Sequence, residues 1–349
     1  MKLFSRRGAK DQSASVAVVD RERFDGTDEE LAAEIAALRK QLAEESTHEA
    51  ESRLVYLLHV LGIRRLASAG NDARYPEPAT DLPPYDGALP EFQFEELTPE
   101  LLRAAILRDG CAIVRGLIPR DRALAFADEI DQSFAERERE VEGKSHDRRL
   151  YDPFVPDPPH GVEVDSRGWI RAGGGVLAMD APKLACEVFN LLYDIGLPEL
   201  IAGYVGEDVA LSLDKTTLRK ATPDVAGAWH QDGNFMGDVR AMNLWLSLSR
   251  CGDEAPGLDM VPRRLNEMIQ AGTDEAMLDY VVSQRMAEQA AGDRPIVRPI
   301  FEPGDAVLFD DLFLHKTGSD PSMPKPRYAL ESWFFGASGF PTEYAPIAI

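Results

Sequence analysis

The chain has 349 residues, 44% of them hydrophobic and 28% charged, a balance that fits one large globular domain with appendages and excludes wholesale disorder. Its 60 acidic against 38 basic residues give a formal charge of −22, which a nucleic-acid backbone or an anionic membrane surface would repel. Three widely separated cysteines (Cys111, Cys186, Cys251) with no C-x-x-C pair exclude a disulfide framework or a zinc knot and fit a cytoplasmic protein.

The first 25 residues carry basic side chains but no apolar core, so they read as a disordered terminus rather than a secretory signal. The apolar stretch Leu54–Ile63 is interrupted by His59 and is too short to span a bilayer. Residues 26–70 read as a helical hairpin. Leu31, Ile35, Leu38 and Leu42 share one helical face, and Leu54, Leu57, Leu58 and Leu61 mark a second helix over 49–67. The hairpin either packs on its own domain or serves as a partner or homo-oligomer element. Residues 71–90 hold five prolines and read as a linker.

The main domain is expected over 91–349. It opens with a helix from Thr98-Pro99 to Leu107, a strand at 111–118 and an amphipathic helix over 120–140. Residues 144–180 are irregular, and their Gly173-Gly174-Gly175 run lacks the lysine and framing of a phosphate loop. A helix is expected at 183–203. From about 208 the pattern becomes β: 209–219, 241–249, 258–262, 297–301, 305–310 and 327–335 read as strands, with a helical insertion at 264–291. Short strands separated by turn signals predict an α+β protein with a mainly β core, an antiparallel barrel or sandwich with flanking helices.

Of six histidines, His48, His59, His146 and His160 read as surface or packing residues. His230 and Asp232 have the period-two spacing that puts both on one side of an extended segment. His315 follows an apolar strand, and an antiparallel barrel can bring it beside them. Two imidazoles and one carboxylate on one face of a metal form the ligand set of non-haem Fe(II) oxygenases, and a zinc site can use the same three groups. Arg327 begins the next strand, where it either pairs with Glu331 or docks the far carboxylate of a diacid co-substrate. Thr317, in phase with His315, can add a hydroxyl.

W-H-Q-D-G, N-L-W-L-S-L, P-G-L-x-M-V-P and P-G-D-x-x-x-F-D-x-x-x-x-H-x-T followed by Arg together resemble the phytanoyl-CoA dioxygenase family over residues 90–340. The resemblance implies a double-stranded β-helix (a jelly-roll or cupin-like barrel) and an Fe(II)- and 2-oxoglutarate-dependent dioxygenase. It implies Fe(II) on His230, Asp232 and His315. It also implies 2-oxoglutarate held by Arg327 and Thr317, with Trp245 and Thr216 lining its pocket and O2 as the second co-substrate. Succinate and CO2 would be released as a small-molecule C–H bond is oxidised, chiefly by hydroxylation. Asp232 in the ligand set argues against halogenation. Pro262-Arg263-Arg264-Leu265 departs from the family's Pro-Gly-Ser-His turn. Arg171, Arg263 and Arg264 either contact an anionic substrate, such as an acid or acyl thioester, or are surface arginines. Two other readings stay open: a cupin-like metal hydrolase or isomerase without 2-oxoglutarate, and a non-catalytic barrel that binds a partner.

Overall fold

The computed structural model describes residues 22–70, 72–158, 166–224, 227–237, 239–273, 276 and 281–349, so the expectations for residues 1–21, for His160 and for part of the 264–291 insertion lie outside it. The described chain starts with α1 (Asp28–Glu44) and α2 (His48–Ala67). Thr27 caps α1 reciprocally: its hydroxyl accepts from Glu30 N at 3.2 Å and its own N–H donates to the Glu30 carboxylate at 2.7 Å. α2 packs on the body of the chain. Leu54, Leu57 and Leu58 are buried in the main core, Ala348 N donates to Leu58 O at 3.0 Å, and Arg149 donates three hydrogen bonds to the buried Glu51 carboxylate.

Then follow β1 (Glu91–Gln93), α3 (Pro99–Asp109), β2 (Cys111–Arg115), α4 (Arg120–Val141), α5 (Ser166–Ala172), β3 (Gly175–Leu177), α6 (Pro182–Asp194), α7 (Leu197–Val205), β4 (Val209–Ser212), β5 (Thr217–Ala221), β6 (Ala241–Ser247), β7 (Gly257–Met260), α8 (Gln284–Ala291), β8 (Ala306–Phe309), β9 (His315–Gly318), β10 (Arg327–Gly336) and β11 (Pro346–Ile347). The expected helix over 183–203 is two helices, because Gly196 adopts φ +75° and turns the chain between them. The expected strand over 209–219 is split by a 3₁₀ turn, Leu213–Lys215. Residues 297–301 form no strand and make only single bridges, Val297 to Met260 and Phe301 to Cys251. The helical insertion shrinks to α8 among the described residues. Leu265 and Ile269 before it are irregular backbone packed on Trp229, Val261 and Leu314.

From β6 to β10, successive strands alternate between two sheets. β6, β8 and β10 lie in the large sheet, whose order is β1-β2-β8-β6-β10-β4-β11 with β5 joining β10 to β3. β7 and β9 form a second, antiparallel sheet. This alternation is the jelly-roll arrangement, and apart from β1 against β2 every pairing is antiparallel. β6 is buried along its whole length because both of its faces are covered. Met242, Leu244 and Leu246 join the helix-side core, while Trp245 points between the sheets among Val307, Phe309, Ala329, Trp333, Leu258 and Met260. No helix of the described residues is long and apolar enough to cross a membrane.

Candidate active site

His230 and His315 come together through backbone pairing. His230 N donates to His315 O at 3.0 Å and His315 N to His230 O at 3.2 Å, an antiparallel exchange that sets the two side chains on one face. Their rings lie 4.5 Å apart. Asp232 follows as the chain turns into a 3₁₀ segment, Asp232–Phe235. Its carboxylate stands 3.6 Å from His230 Nε2 and 3.8 Å from His315 Nε2. One ligand atom from each of the three residues lies within 4.8 Å of the other two.

The surroundings prepare these groups to donate lone pairs. His230 Nδ1 faces Ala228 O at 2.8 Å and His315 Nδ1 faces Phe313 O at 3.1 Å. A carbonyl accepts only, so each Nδ1 carries the proton and each Nε2 is left as a lone pair aimed toward Asp232. Burial, with His230 adding to it, pushes the His315 pKa down to about 4, which keeps this imidazole neutral at ordinary pH.

Gln231, between the ligands, locks the segment in place. Its amide donates to Glu267 O at 3.2 Å and Leu312 O at 2.8 Å, and its carbonyl accepts from Ile269 N at 2.8 Å. Gly233 lets the segment beyond Asp232 lie close to its neighbours: its N–H donates to Asp311 O at 3.0 Å, and a Cβ there would stand 3.1 Å from that oxygen and push the end of Met268 aside. Sequence reasoning passed over Gln231. Its signal was position alone, an amide flanked by two ligands.

Arg327 starts β10 and is fully buried. It points between the sheets, where Nη1 donates to Gly257 O at 3.2 Å and the guanidinium lies 5.2 Å from the Trp245 ring. Glu331 is 3.7 Å away but is committed elsewhere: Arg219 donates to it three times, at 2.8 to 3.0 Å. Burial pushes the Glu331 carboxyl up, yet Arg219 and Arg327 outweigh this and hold it below the usual carboxylate range. Arg327 Nε and Nη2, Trp245 Nε1 and Asn243 Oδ1 are buried with no hydrogen-bond partner among the described residues. Each such orphan costs about 1–3 kcal/mol, so a group of them on interior-facing side chains marks where a polar ligand would be satisfied. Asn243, two residues before Trp245 on β6, is a residue the alternating pattern placed correctly but did not single out.

Thr317 pairs with Leu258, next to the Gly257 whose carbonyl Arg327 holds, and its hydroxyl makes no hydrogen bond among the described residues. Thr216 lies elsewhere. Its hydroxyl donates to Ser212 O at 2.7 Å and meets Ser332 Oγ at 3.1 Å, on the face of β10 opposite Arg327 and Glu331. The three arginines considered for an anionic substrate all have acidic partners: Arg171 with Glu138, Arg263 with Asp293 and Arg264 with Asp310. His48 pairs with Asp152 at 2.8 Å, His59 is buried against Pro346 O at 2.6 Å, and His146 is half-buried.

No family model matches the chain. It is similar to the L-proline trans-4-hydroxylase of Streptomyces griseoviridis, with 24% identity over 205 residues that cover 53% of this chain and 71% of that one. Among solved structures it resembles EctD from S. alaskensis with 2-oxoglutarate and 5-hydroxyectoine, at 18% identity and a TM-score of 0.46 over 78% of this chain and 86% of that one. It also resembles SnoK, a non-heme alpha-ketoglutarate-dependent carbocyclase from nogalamycin biosynthesis, at 14% identity and a TM-score of 0.46 over 70% and 87% of the two chains.

Proposed function

We propose that this protein is an Fe(II)- and 2-oxoglutarate-dependent dioxygenase that hydroxylates a small organic molecule, and that it lies within or near the phytanoyl-CoA dioxygenase family. The observation that carries the reading is the convergence of His230, Asp232 and His315 in the same inter-sheet interior as a buried, half-satisfied Arg327. The donor set fits ferrous iron: two neutral imidazoles with Nε2 free and one carboxylate, with no thiolate among them. Arg327 fits the far carboxylate of 2-oxoglutarate, because Nε and Nη2, which make no hydrogen bond among the described residues, match the paired oxygens of a carboxylate. A hydrolase using the same three ligands would have no use for that guanidinium. The relative that hydroxylates proline supports a small-molecule substrate, and the three buried free cysteines support a reducing compartment.

In this mechanism, bound iron and 2-oxoglutarate would supply oxidation of an unactivated C–H bond with release of succinate and CO2. The chain supplies position. His230, Asp232 and His315 would hold the iron, each through one ligand atom of a set lying within 4.8 Å of one another. Gln231, through its three hydrogen bonds, keeps the ligand-bearing segment from shifting. Arg327 would bind the far carboxylate of the diacid, with Trp245 packed on its guanidinium and Thr317 on the strand beside Gly257. The aromatic walls from Phe309, Phe313 and Trp333 exclude water from the interior.

Oxygen-free reconstitution with Fe(II) and 2-oxoglutarate tests the reading. A weak visible charge-transfer band is expected in the native chain and absent in His230→Ala. Its absence from the native chain overturns the proposal.

A further inference from the structure

Lys215 ends the 3₁₀ turn between β4 and β5. Its ammonium nitrogen lies 5.1 Å from the centroid of the Tyr344 ring and 5.7 Å from that of the Phe235 ring. These rings come from distant segments, but the Tyr344 hydroxyl donates to Phe235 O at 3.0 Å, so they form one aromatic wall. Phe235 closes the same short turn that Asp232 opens. The wall is therefore tied to the candidate metal ligand.

Among the described residues Lys215 makes no hydrogen bond or ion pair. The charges acting on it are, in order, Asp232, Asp214 and Glu343, and burial holds the ammonium below the usual lysine range. None of the three carboxylates is available as a close partner. Asp232 belongs to the metal in the reading above. Asp214 is buried and accepts the Ala345 N–H at 2.6 Å. Glu343 is exposed. Two ring contacts recover only part of what an ammonium loses on leaving water, so an anion at this position would complete its surroundings. Phe235 keeps 41% of its surface exposed, which leaves an apolar edge beside the cation for a hydrocarbon body.

We infer that Lys215 binds the carboxylate of the organic substrate and sets its hydrocarbon part against Phe235, beside the metal ligand Asp232. This rests on the oxygenase reading and narrows it: the substrate is a small organic acid with a free carboxylate, rather than an acyl thioester or a neutral molecule. Lys215 is then a specificity residue and takes no part in the oxidation itself.

The test uses the full chain loaded with diamagnetic Zn(II) and 2-oxoglutarate. Saturation-transfer NMR is run with a panel of short aliphatic, cyclic and aromatic carboxylic acids, each paired with its primary amide. Acids are expected to bind and their amides not. Lys215→Met should weaken acid binding about ten- to a hundredfold, the range of a charge-assisted hydrogen bond, while Lys215→Arg keeps most of it. In a second arm, the oxygen-free Fe(II)/2-oxoglutarate band of Lys215→Met should match the native band, which also shows that the variant is folded. The inference is overturned if no acid binds, if acids and amides bind alike, if Lys215→Met binds acids as the native chain does, or if that variant loses the band. Loss of the band would make Lys215 a co-substrate residue instead. Failure of the oxygenase reading is read separately, from the absence of the band in the native chain.

Discussion

Replacing Arg327 with methionine separates a ligand-binding arginine from a structural one. The side chain is fully buried, yet its one hydrogen bond is the 3.2 Å contact with Gly257 O. Removing it loses that bond, about 1 kcal/mol, and a cation–π contact with Trp245 of about 1 kcal/mol. It also removes two buried orphaned nitrogens, each costing about 1–3 kcal/mol. Glu331, 3.7 Å away, loses the pull of Arg327 but is not stranded, because Arg219 keeps its three bonds to the carboxylate. The folded state without ligand should therefore be as stable as the native one or more so, as when buried ion pairs are replaced by apolar side chains. Affinity for 2-oxoglutarate should fall roughly a hundredfold or more, since two charge-assisted bonds of about 1.5–3 kcal/mol each are lost. Urea unfolding without 2-oxoglutarate gives the first quantity, and titration of the Fe(II)/2-oxoglutarate band gives the second. A variant destabilised by about 3–5 kcal/mol that still binds the diacid normally would refute the reasoning, because that is the signature of a broken buried ion pair.

Three further outcomes follow from the packing and the site. Leu57→Ala on α2 should cost about 2–5 kcal/mol in urea unfolding, because Leu57 is fully buried in the main core, and a loss under about 1 kcal/mol would mean that the hairpin is an independent appendage. Gln231→Ala should weaken Fe(II) binding about tenfold or more while leaving all three ligands in place, and metal titration of the variant would show whether the amide matters. The ring resonances of His315 in the metal-free protein should stay those of neutral imidazole until the pH nears 4, and a midpoint at the ordinary value of 6.5 would show that burial does not act as described. Since its folded value lies below its unfolded one, this residue contributes stability that is present above about pH 6.5 and is lost as pH falls towards 4.

The features that sequence showed were those written in local spacing. Alternation along 241–247 gave β6 and the inward face that carries Trp245, and the period of two placed His230 and Asp232 on one side. Thr98 with Pro99 announced its helix by cap chemistry. Element boundaries failed where one residue or a distant contact decides. Gly196 cuts a continuous apolar pattern in two, and 297–301 has strand composition but finds only single-residue partners in the fold.

What sequence could not show was which charges are already taken. Glu331 is in phase with Arg327 and four residues away, so an ion pair between them was the natural local reading. The carboxylate does stand 3.7 Å from Arg327, but it takes its hydrogen bonds from Arg219, 112 residues back along the chain and brought alongside by the pairing of β5 with β10. The same accounting removes Arg171, Arg263 and Arg264 from the candidates for substrate contact, because the fold gives each an acid. In a chain with this excess of acidic residues, carboxylates are abundant. A buried guanidinium or ammonium left without a close one is then informative, because the shortage is local and made by topology. Arg327, whose neighbour Glu331 at 3.7 Å is hydrogen-bonded to Arg219, and the half-buried Lys215 are the two cations that come nearest to this case, and they pack on Trp245 and on Phe235 and Tyr344 respectively. The oxygenase reading thus stands on the His-Asp-His convergence together with a buried guanidinium that the folded chain leaves for a ligand to satisfy, and Lys215 narrows the substrate that such a site would take.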